Sequence, residues 1–153
     1  MGKFAIMKEF VIEAKIENLD TVQDFVAGEL ATFDCPVKLK TQVAIATEEI
    51  FINIARYAYS QNVPEVCSRS ERPAPGVGSV AIRITVGDEV IVEFEDSGRP
   101  YNPLANEDPD ITLGVEEREI GGLGIYMVKK IMDAVRYRYE DNKNILMIKK
   151  RVA

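Results

Sequence analysis

The chain has 153 residues, with 19 basic and 25 acidic side chains and a formal net charge of −6. This length predicts a single domain, residues 1–153, with a core of its own. The acidic balance argues against a dedicated nucleic-acid binder, which needs a basic surface. The sequence has no histidine, which excludes histidine-based catalysis, and its two cysteines lack the spacing of a zinc site.

Apolar runs in this sequence are strand-length and interrupted by charge, so neither a membrane span nor a secretory leader is predicted, and the expected location is the cytoplasm. Alternating apolar and charged residues predict a half-buried strand from Lys8 to Glu17. Asp20 and Gln23 have capping-box spacing, which predicts a first helix that ends near the Asp34-Cys35-Pro36 segment.

A second helix is predicted from Val37 to about Tyr59, because apolar residues recur at helical spacing. Glu49, Asn53 and Arg56 share one face of it. Asn53 is embedded among apolar neighbours, and a buried amide needs partners. It could close a hydrogen-bond network in the core, or its oxygen could ligate a hard cation such as Mg²⁺. The residue pattern leaves both open.

The segment from Ser60 to Ser79 is rich in Pro, Gly and Ser and is predicted to be a long loop. A hairpin follows, with strands from Val80 to Val86 and from Val90 to Phe94. It leads into Asp96-Ser97-Gly98, which has the composition of an ordinary turn. The same residues could serve a nucleotide, since a carboxylate accepts a hydrogen bond from the amine of adenine and glycine lets a flat ring pack on the backbone.

Three glycines in four residues, Gly121-Gly122-Leu123-Gly124, lead into a helix predicted to end at Asp133. A bare backbone at a helix N-terminus can approach phosphate, although a flexible turn has the same composition. The acidic stretch from Leu104 to Glu119 is predicted to be a lid, and a last hairpin turns at 141–144. Together the elements predict an α+β two-layer sandwich: a mixed, mainly antiparallel sheet with helices on one face.

Three motifs occur in a distinctive order: Glu49-x-x-x-Asn53, Asp96-x-Gly98-x-Pro100 and Gly121-Gly122-Leu123-Gly124. They resemble the N, G1 and G2 boxes of the Bergerat-fold ATPase superfamily, which includes gyrase, heat-shock chaperones, sensor histidine kinases and mismatch-repair ATPases. Within it, the chain is most similar to the small anti-sigma factor serine kinases. The resemblance extends over nearly the whole chain.

The resemblance implies ATP and Mg²⁺ as cofactors and assigns a role to each motif. Glu49 would be the general base, Asn53 would ligate Mg²⁺, and Asp96 with Gly98 would hold the adenine. The phosphate-binding group would be Gly121, Gly122, Leu123 and Gly124. Kinases of this group often have a basic residue directly before the glycines. Here that position is Ile120, and the nearby basic residue is Arg118.

The implied function is an ATP-dependent protein serine kinase. Its substrate would be a small antagonist protein, and it would regulate a sigma factor or a similar partner. The alternative is a binding module in which ATP is a structural ligand and no phosphoryl group is transferred. The edge position expected for the first strand also suggests a homodimer.

Overall fold

The structure is a computed structural model that describes residues 6–59, 78–105 and 122–153. In these ranges an antiparallel sheet has the strand order β1-β2-β3-β5-β4. The strands are β1 (Ile6–Glu13), β2 (Ser79–Val86), β3 (Glu89–Asp96), β4 (Ala134–Glu140) and β5 (Lys143–Arg151). The helices are α1 (Leu19–Leu30), α2 (Val37–Asn53) and α3 (Gly122–Ile131). This confirms the predicted α+β fold with a mainly antiparallel sheet. The pairings between the described strands are all antiparallel, so the predicted mixed character is not found among them.

The core lies between one face of the sheet and the helices. Because side chains alternate along a strand, every second residue of β2 and β3 points to this face and is buried. The apolar stripes of α1 and α2 pack against it. Deeply buried side chains on the two layers include Val22, Val26, Leu30, Val43, Ile50, Phe51, Val80, Ile82, Ile84, Phe94 and Ile148. The apolar periodicity that predicts α2 is therefore confirmed, and the buried residues of α1 recur at the same helical spacing.

The opposite face of the sheet carries charged side chains that pair with one another. Arg83 on β2 contacts carboxylates on both neighbouring strands, with N–O distances of 3.2 Å to Glu9, 3.2 Å to Glu93 and 3.0 Å to Glu95. Cross-strand pairs of opposite charge stabilise a solvated sheet face. This face therefore needs no second layer of helices, in agreement with the two-layer prediction.

The first strand is shorter than predicted at its C-terminal end. It stops at Glu13, whose carbonyl oxygen accepts bonds from the Lys15 backbone N–H (2.8 Å) and from the Asn18 side-chain amide (2.9 Å). These bonds turn the chain into a short 3-10 segment, Ile16–Asn18, so the alternation past Glu13 does not continue the strand.

The predicted capping box at the start of α1 is wrong. The helix begins at Leu19 with Asn18 as its N-cap, and no side chain caps it. Gln23 instead donates from Nε2 to the carbonyl oxygen of Ala44 on α2, at 2.8 Å. A side chain that can bond a neighbouring helix is not available to reach back to its own N-terminus, which sequence spacing cannot reveal.

The second helix extends as far as predicted, but its last turn is wider. Ordinary helical bonding ends at Asn53, and a π-helical turn runs from Ile54 to Ala58. None of the described helices is both long and apolar enough to cross a lipid bilayer. Most of the predicted loop from Ser60 to Ser79, and most of the predicted lid from Leu104 to Glu119, lie outside the described residues.

Candidate functional site

An open pocket lies between the end of α2 and the buried face of β3 and β5. Its empty volume, including solvent at its mouth, is about 490 Å³. Apolar side chains form most of its wall, among them Ile54, Phe94, Ile125 and Leu146, and polar groups converge on it from Asn53, Asp96 and Asn144. A mostly apolar pocket with a few convergent polar groups is typical of a small-molecule site. Two of the predicted site residues, Asn53 and Asp96, thus share one pocket.

Asp96 is the last residue of β3 and is buried, with 6% of its surface exposed. Its Oδ1 atom accepts two hydrogen bonds, from the Gly98 backbone N–H and from Asn144 Nδ2, each at 2.9 Å. No donor in the described part of the chain bonds to Oδ2. Burial raises the pKa of the carboxyl above its usual value, while the two donated bonds oppose that rise. Among the described residues, one oxygen of Asp96 is thus left for a ligand.

The turn after Asp96 packs against the end of the π-helical segment. A Cβ on Gly98 would overlap the backbone oxygen of Ala58, which already accepts the Arg99 N–H at 3.1 Å. The Ser97 N–H is bonded to the Tyr59 hydroxyl at 2.7 Å. Gly98 therefore permits a close approach of two backbone segments, which a larger residue would prevent.

Asn53 and Glu49 lie one turn apart on α2, as their spacing predicts. Both are partly exposed. Asn53 lines the pocket, and its amide makes no hydrogen bond within the described ranges. Of the two alternatives left by the sequence, a closed core network is therefore not found there. Burial, and secondarily the charge of Glu48, raise the pKa of Glu49, and Arg56 partly offsets this.

The glycine-rich motif is described only in part. Gly121 and Arg118 lie outside the described residues, while Gly122, Leu123 and Gly124 form the start of α3. Gly124 faces Glu49 across the two helices, and a Cβ at this position would overlap the Glu49 carboxylate. The phosphate-binding roles of these residues stay predictions.

Asn144 is a pocket residue that the sequence interpretation missed. The sequence pattern predicts Asn144 in the turn of the last hairpin. In the structure that turn consists of Asp141 and Asn142, both with positive φ, and Asn144 lies in β5. The available signal was the two-residue period that places Asn144 on the same face as Leu146 and Ile148. A buried asparagine at the start of such a run indicates a bonded amide.

A comparison with known protein families finds a match over most of the chain. Residues 12–150 match the family of the histidine kinase-like ATPase domain. The chain belongs to this family. Membership in an ATPase family implies a nucleotide-binding site, and the three motifs that suggested it fall within the matched residues.

Among curated proteins, this ATPase domain is 26% identical over 142 residues to a protein named serine-protein kinase RsbW from Bacillus thuringiensis, covering 92% of this chain and 82% of the relative. A Bacillus cereus protein of the same name is equally similar. A solved structure of the RsbU and RsbW domains of a Mycobacterium tuberculosis protein shares the fold, with a TM-score of 0.63 and 13% identity over 96% of this chain. The present chain covers 32% of that longer chain.

Proposed function

We propose that this domain is an ATP-dependent protein serine kinase that phosphorylates a small antagonist protein and thereby regulates a sigma factor or a similar partner. The observation that carries the proposal is the pocket itself. It presents an Asp96 oxygen and the Asn53 amide, both without a described partner, and Glu49 lies one helical turn from Asn53. The relatives named serine-protein kinases support the same reading.

The pocket fits an adenine nucleotide in chemistry. An apolar wall suits the faces of a purine, and the oxygen of Asp96 that the fold leaves available suits an exocyclic amine. Gly98 supports this arrangement because it lets the turn lie close to Ala58. Gly121, Gly122, Leu123, Gly124 and Arg118 are proposed to bind the phosphates.

Asn53 fits a Mg²⁺ site that depends on the nucleotide. The described residues contain no group of three His, Cys, Asp or Glu side chains placed to hold a metal. A single amide oxygen is therefore the protein's proposed ligand, and Mg²⁺ usually completes its coordination with phosphates and water. We expect the cation to bind together with the nucleotide and not alone.

Glu49 is proposed as the general base. The phosphoryl group comes from ATP, and Mg²⁺ spreads the charge that develops during transfer. Glu49 would accept the proton of the partner's serine hydroxyl, and its raised pKa makes it a stronger base than an exposed glutamate. Partial burial next to the pocket is the physical cause of that shift.

The proposed protein is a single domain over residues 1–153 that acts in the cytoplasm. Its partners are a sigma-factor-like protein and an anti-anti-sigma-like antagonist, and neither nucleic acid nor a membrane is involved. The acidic sequence, with a net charge of −6, supports protein partners over nucleic acid.

The test is transfer of labelled phosphate. The parent protein, Asn53→Ala and the exposed control variant Thr41→Ala on the same helix are incubated with γ-labelled ATP, Mg²⁺ and a candidate antagonist protein. We expect phosphoserine on the antagonist with the parent and Thr41→Ala, and a large loss with Asn53→Ala. A parent that binds Mg·ATP and binds its partner only with ATP, yet never transfers phosphate, would establish the nucleotide-gated binding module instead.

A further inference from the structure

Asn144 connects three parts of the pocket through its side-chain amide. It pairs with Asp96 in the ladder between β3 and β5, and 6% of its surface is exposed. Its Nδ2 atom donates to Asp96 Oδ1 and to the carbonyl oxygens of Arg99 (2.9 Å) and Gly98 (3.3 Å). Both the β3 terminus and the turn that follows it are thus held by one residue.

The orientation of this amide is fixed by its neighbours. Asn144 Oδ1 accepts the Tyr101 backbone N–H at 3.1 Å and the Tyr137 hydroxyl at 2.5 Å. A backbone N–H can only donate, and the carbonyl oxygen of Arg99 can only accept, so a flipped amide would break both bonds. The nitrogen of Asn144 therefore always faces Asp96.

The consequence for Asp96 is that its two oxygens are not equivalent. Oδ1 receives two N–H groups, from Asn144 and Gly98, while Oδ2 receives none in the described ranges. A ligand therefore meets a carboxylate with one oxygen available. This matters for base identity because adenine carries an amine donor at the position where guanine carries a carbonyl acceptor.

We propose that Asn144 determines base specificity by occupying Asp96 Oδ1 and so leaving a single acceptor in the pocket. The inference rests on the proposed nucleotide site. A single acceptor matches the one amine of adenine. Guanine could approach a carboxylate only through its ring N–H and its amine together. One of these two donors would then be left without an acceptor, which costs free energy once the base has left water.

The experiment measures the affinity of three nucleotides in the presence of Mg²⁺: ATP, GTP and purine riboside triphosphate, which has no exocyclic amine. The proteins are the parent, Asn144→Ala, Asn144→Leu, Asp96→Asn and the double variant Asp96→Asn with Asn144→Ala. Asn144→Leu keeps the approximate side-chain volume but removes the donor to Asp96. Tyr137→Phe is the control, because it removes a bond to Asn144 without changing the donor to Asp96.

We expect both Asn144 variants to lower the ratio of ATP to GTP affinity by about tenfold or more, the scale of one hydrogen bond to a charged group. The change should appear mainly as a gain in GTP affinity, because the freed Oδ1 atom can accept the second donor of guanine, and the affinity for the analogue without the amine should change far less. In the Asp96→Asn background, Asn144→Ala should add nothing to the change in ratio. Tyr137→Phe should alter ATP and GTP affinity equally.

The outcomes separate this inference from the proposed function. If the parent binds ATP and Asp96→Asn removes its preference for ATP, but both Asn144 variants keep the parent ratio, the role of Asn144 is overturned and the nucleotide site stands. Equal losses for all three nucleotides would also overturn it, since they would reveal a merely structural residue. A parent that binds none of the three overturns both proposals. If Asn144→Ala fails to fold, the ratio for Asn144→Leu decides.

Discussion

The Glu49 carboxylate lies against the backbone of Gly124, in the space that a Cβ at position 124 would fill. This contact joins α2 to the first turn of α3. Gly124 therefore has a structural role besides its predicted approach to phosphate, because only a residue without a side chain leaves room for the Glu49 carboxylate. The position of the proposed base therefore depends on a glycine in a different motif.

Replacing Gly124 with alanine should displace Glu49 and slow phosphoryl transfer. A misplacement of about 1 Å in a catalytic group can cost about 10² in rate. Stability should change by less than about 1 kcal/mol, because the overlapping group is the flexible end of a side chain and alanine is favoured in helices. Transfer assays and thermal unfolding check the two expectations.

Gly28 on α1 supplies the matched control for this substitution. A Cβ there would meet nothing within 4 Å, so Gly28→Ala should raise the free energy of unfolding by about 0.5–1 kcal/mol and leave transfer unchanged. If Gly124→Ala transfers phosphate at the parent rate, the contact with Glu49 has no bearing on activity.

Glu49→Gln should leave ATP affinity nearly intact and lower transfer by about 10²–10⁴, because an amide cannot take a proton from the serine hydroxyl. The base works in its ionised form, and burial raises its pKa. The parent rate should therefore fall as pH drops through a pKa above that of an exposed glutamate. The pH–rate profile of Glu49→Gln should lack this decrease. Single-turnover transfer across pH measures both effects, and a parent profile that the variant reproduces would contradict the assignment.

The sequence predicted much of the site because its motifs depend on local geometry. Glu49 and Asn53 share a helix face through their four-residue spacing, and Asp96 lies at a strand end because the alternation before it is regular. Both features depend only on residues that are neighbours in sequence, so the folded chain keeps them. The antiparallel hairpins were predictable for the same reason.

What the sequence could not reveal are bonds between distant segments. The local pattern predicts a turn at Asn144, whereas its side chain bonds to Asp96, 48 positions away. The local spacing predicts a capping role for Gln23, whereas its side chain bonds to Ala44 on another helix. In both cases a tertiary hydrogen bond replaced the local one that the spacing suggested.

Asp96→Asn should separate stability from binding. The folded protein raises the pKa of Asp96, so this group makes the protein less stable as pH rises from the unfolded pKa through the folded one. An asparagine carries no charge, and its oxygen can still accept the bonds from Gly98 and Asn144. We therefore expect unchanged or higher stability at neutral pH, with ATP and ADP affinity reduced by about 1.5–3 kcal/mol.

The measurements for Asp96→Asn are denaturant unfolding without nucleotide at several pH values and calorimetric titration with ADP. Asp88→Asn is the control, since Asp88 is an exposed residue of the β2–β3 turn and should alter neither quantity. A loss of stability in proportion to the loss of affinity would show that Asp96 mainly holds the fold together.

The outer edge of β1 is the proposed surface for homodimer formation. The β1 strand lies at the end of the sheet, with no described strand on its free side, and Ile6, Met7 and Val11 are 65%, 56% and 57% exposed. Phe10, by contrast, faces inward and its ring stacks on Phe25 of α1. An unpaired edge with apolar side chains is a ready site for pairing with a second copy across a two-fold axis.

Lysine substitutions on this edge test the dimer. Met7→Lys and Val11→Lys together should shift the mass measured by light scattering from a dimer to a monomer at micromolar concentration, because pairing would bring like charges together across the two-fold axis. Val37→Lys is the control, since Val37 is 77% exposed at the start of α2 and away from the edge. A parent protein that stays monomeric at high micromolar concentration, with and without ATP, would rule the dimer out, and a dimer that persists in the double variant would place its interface elsewhere.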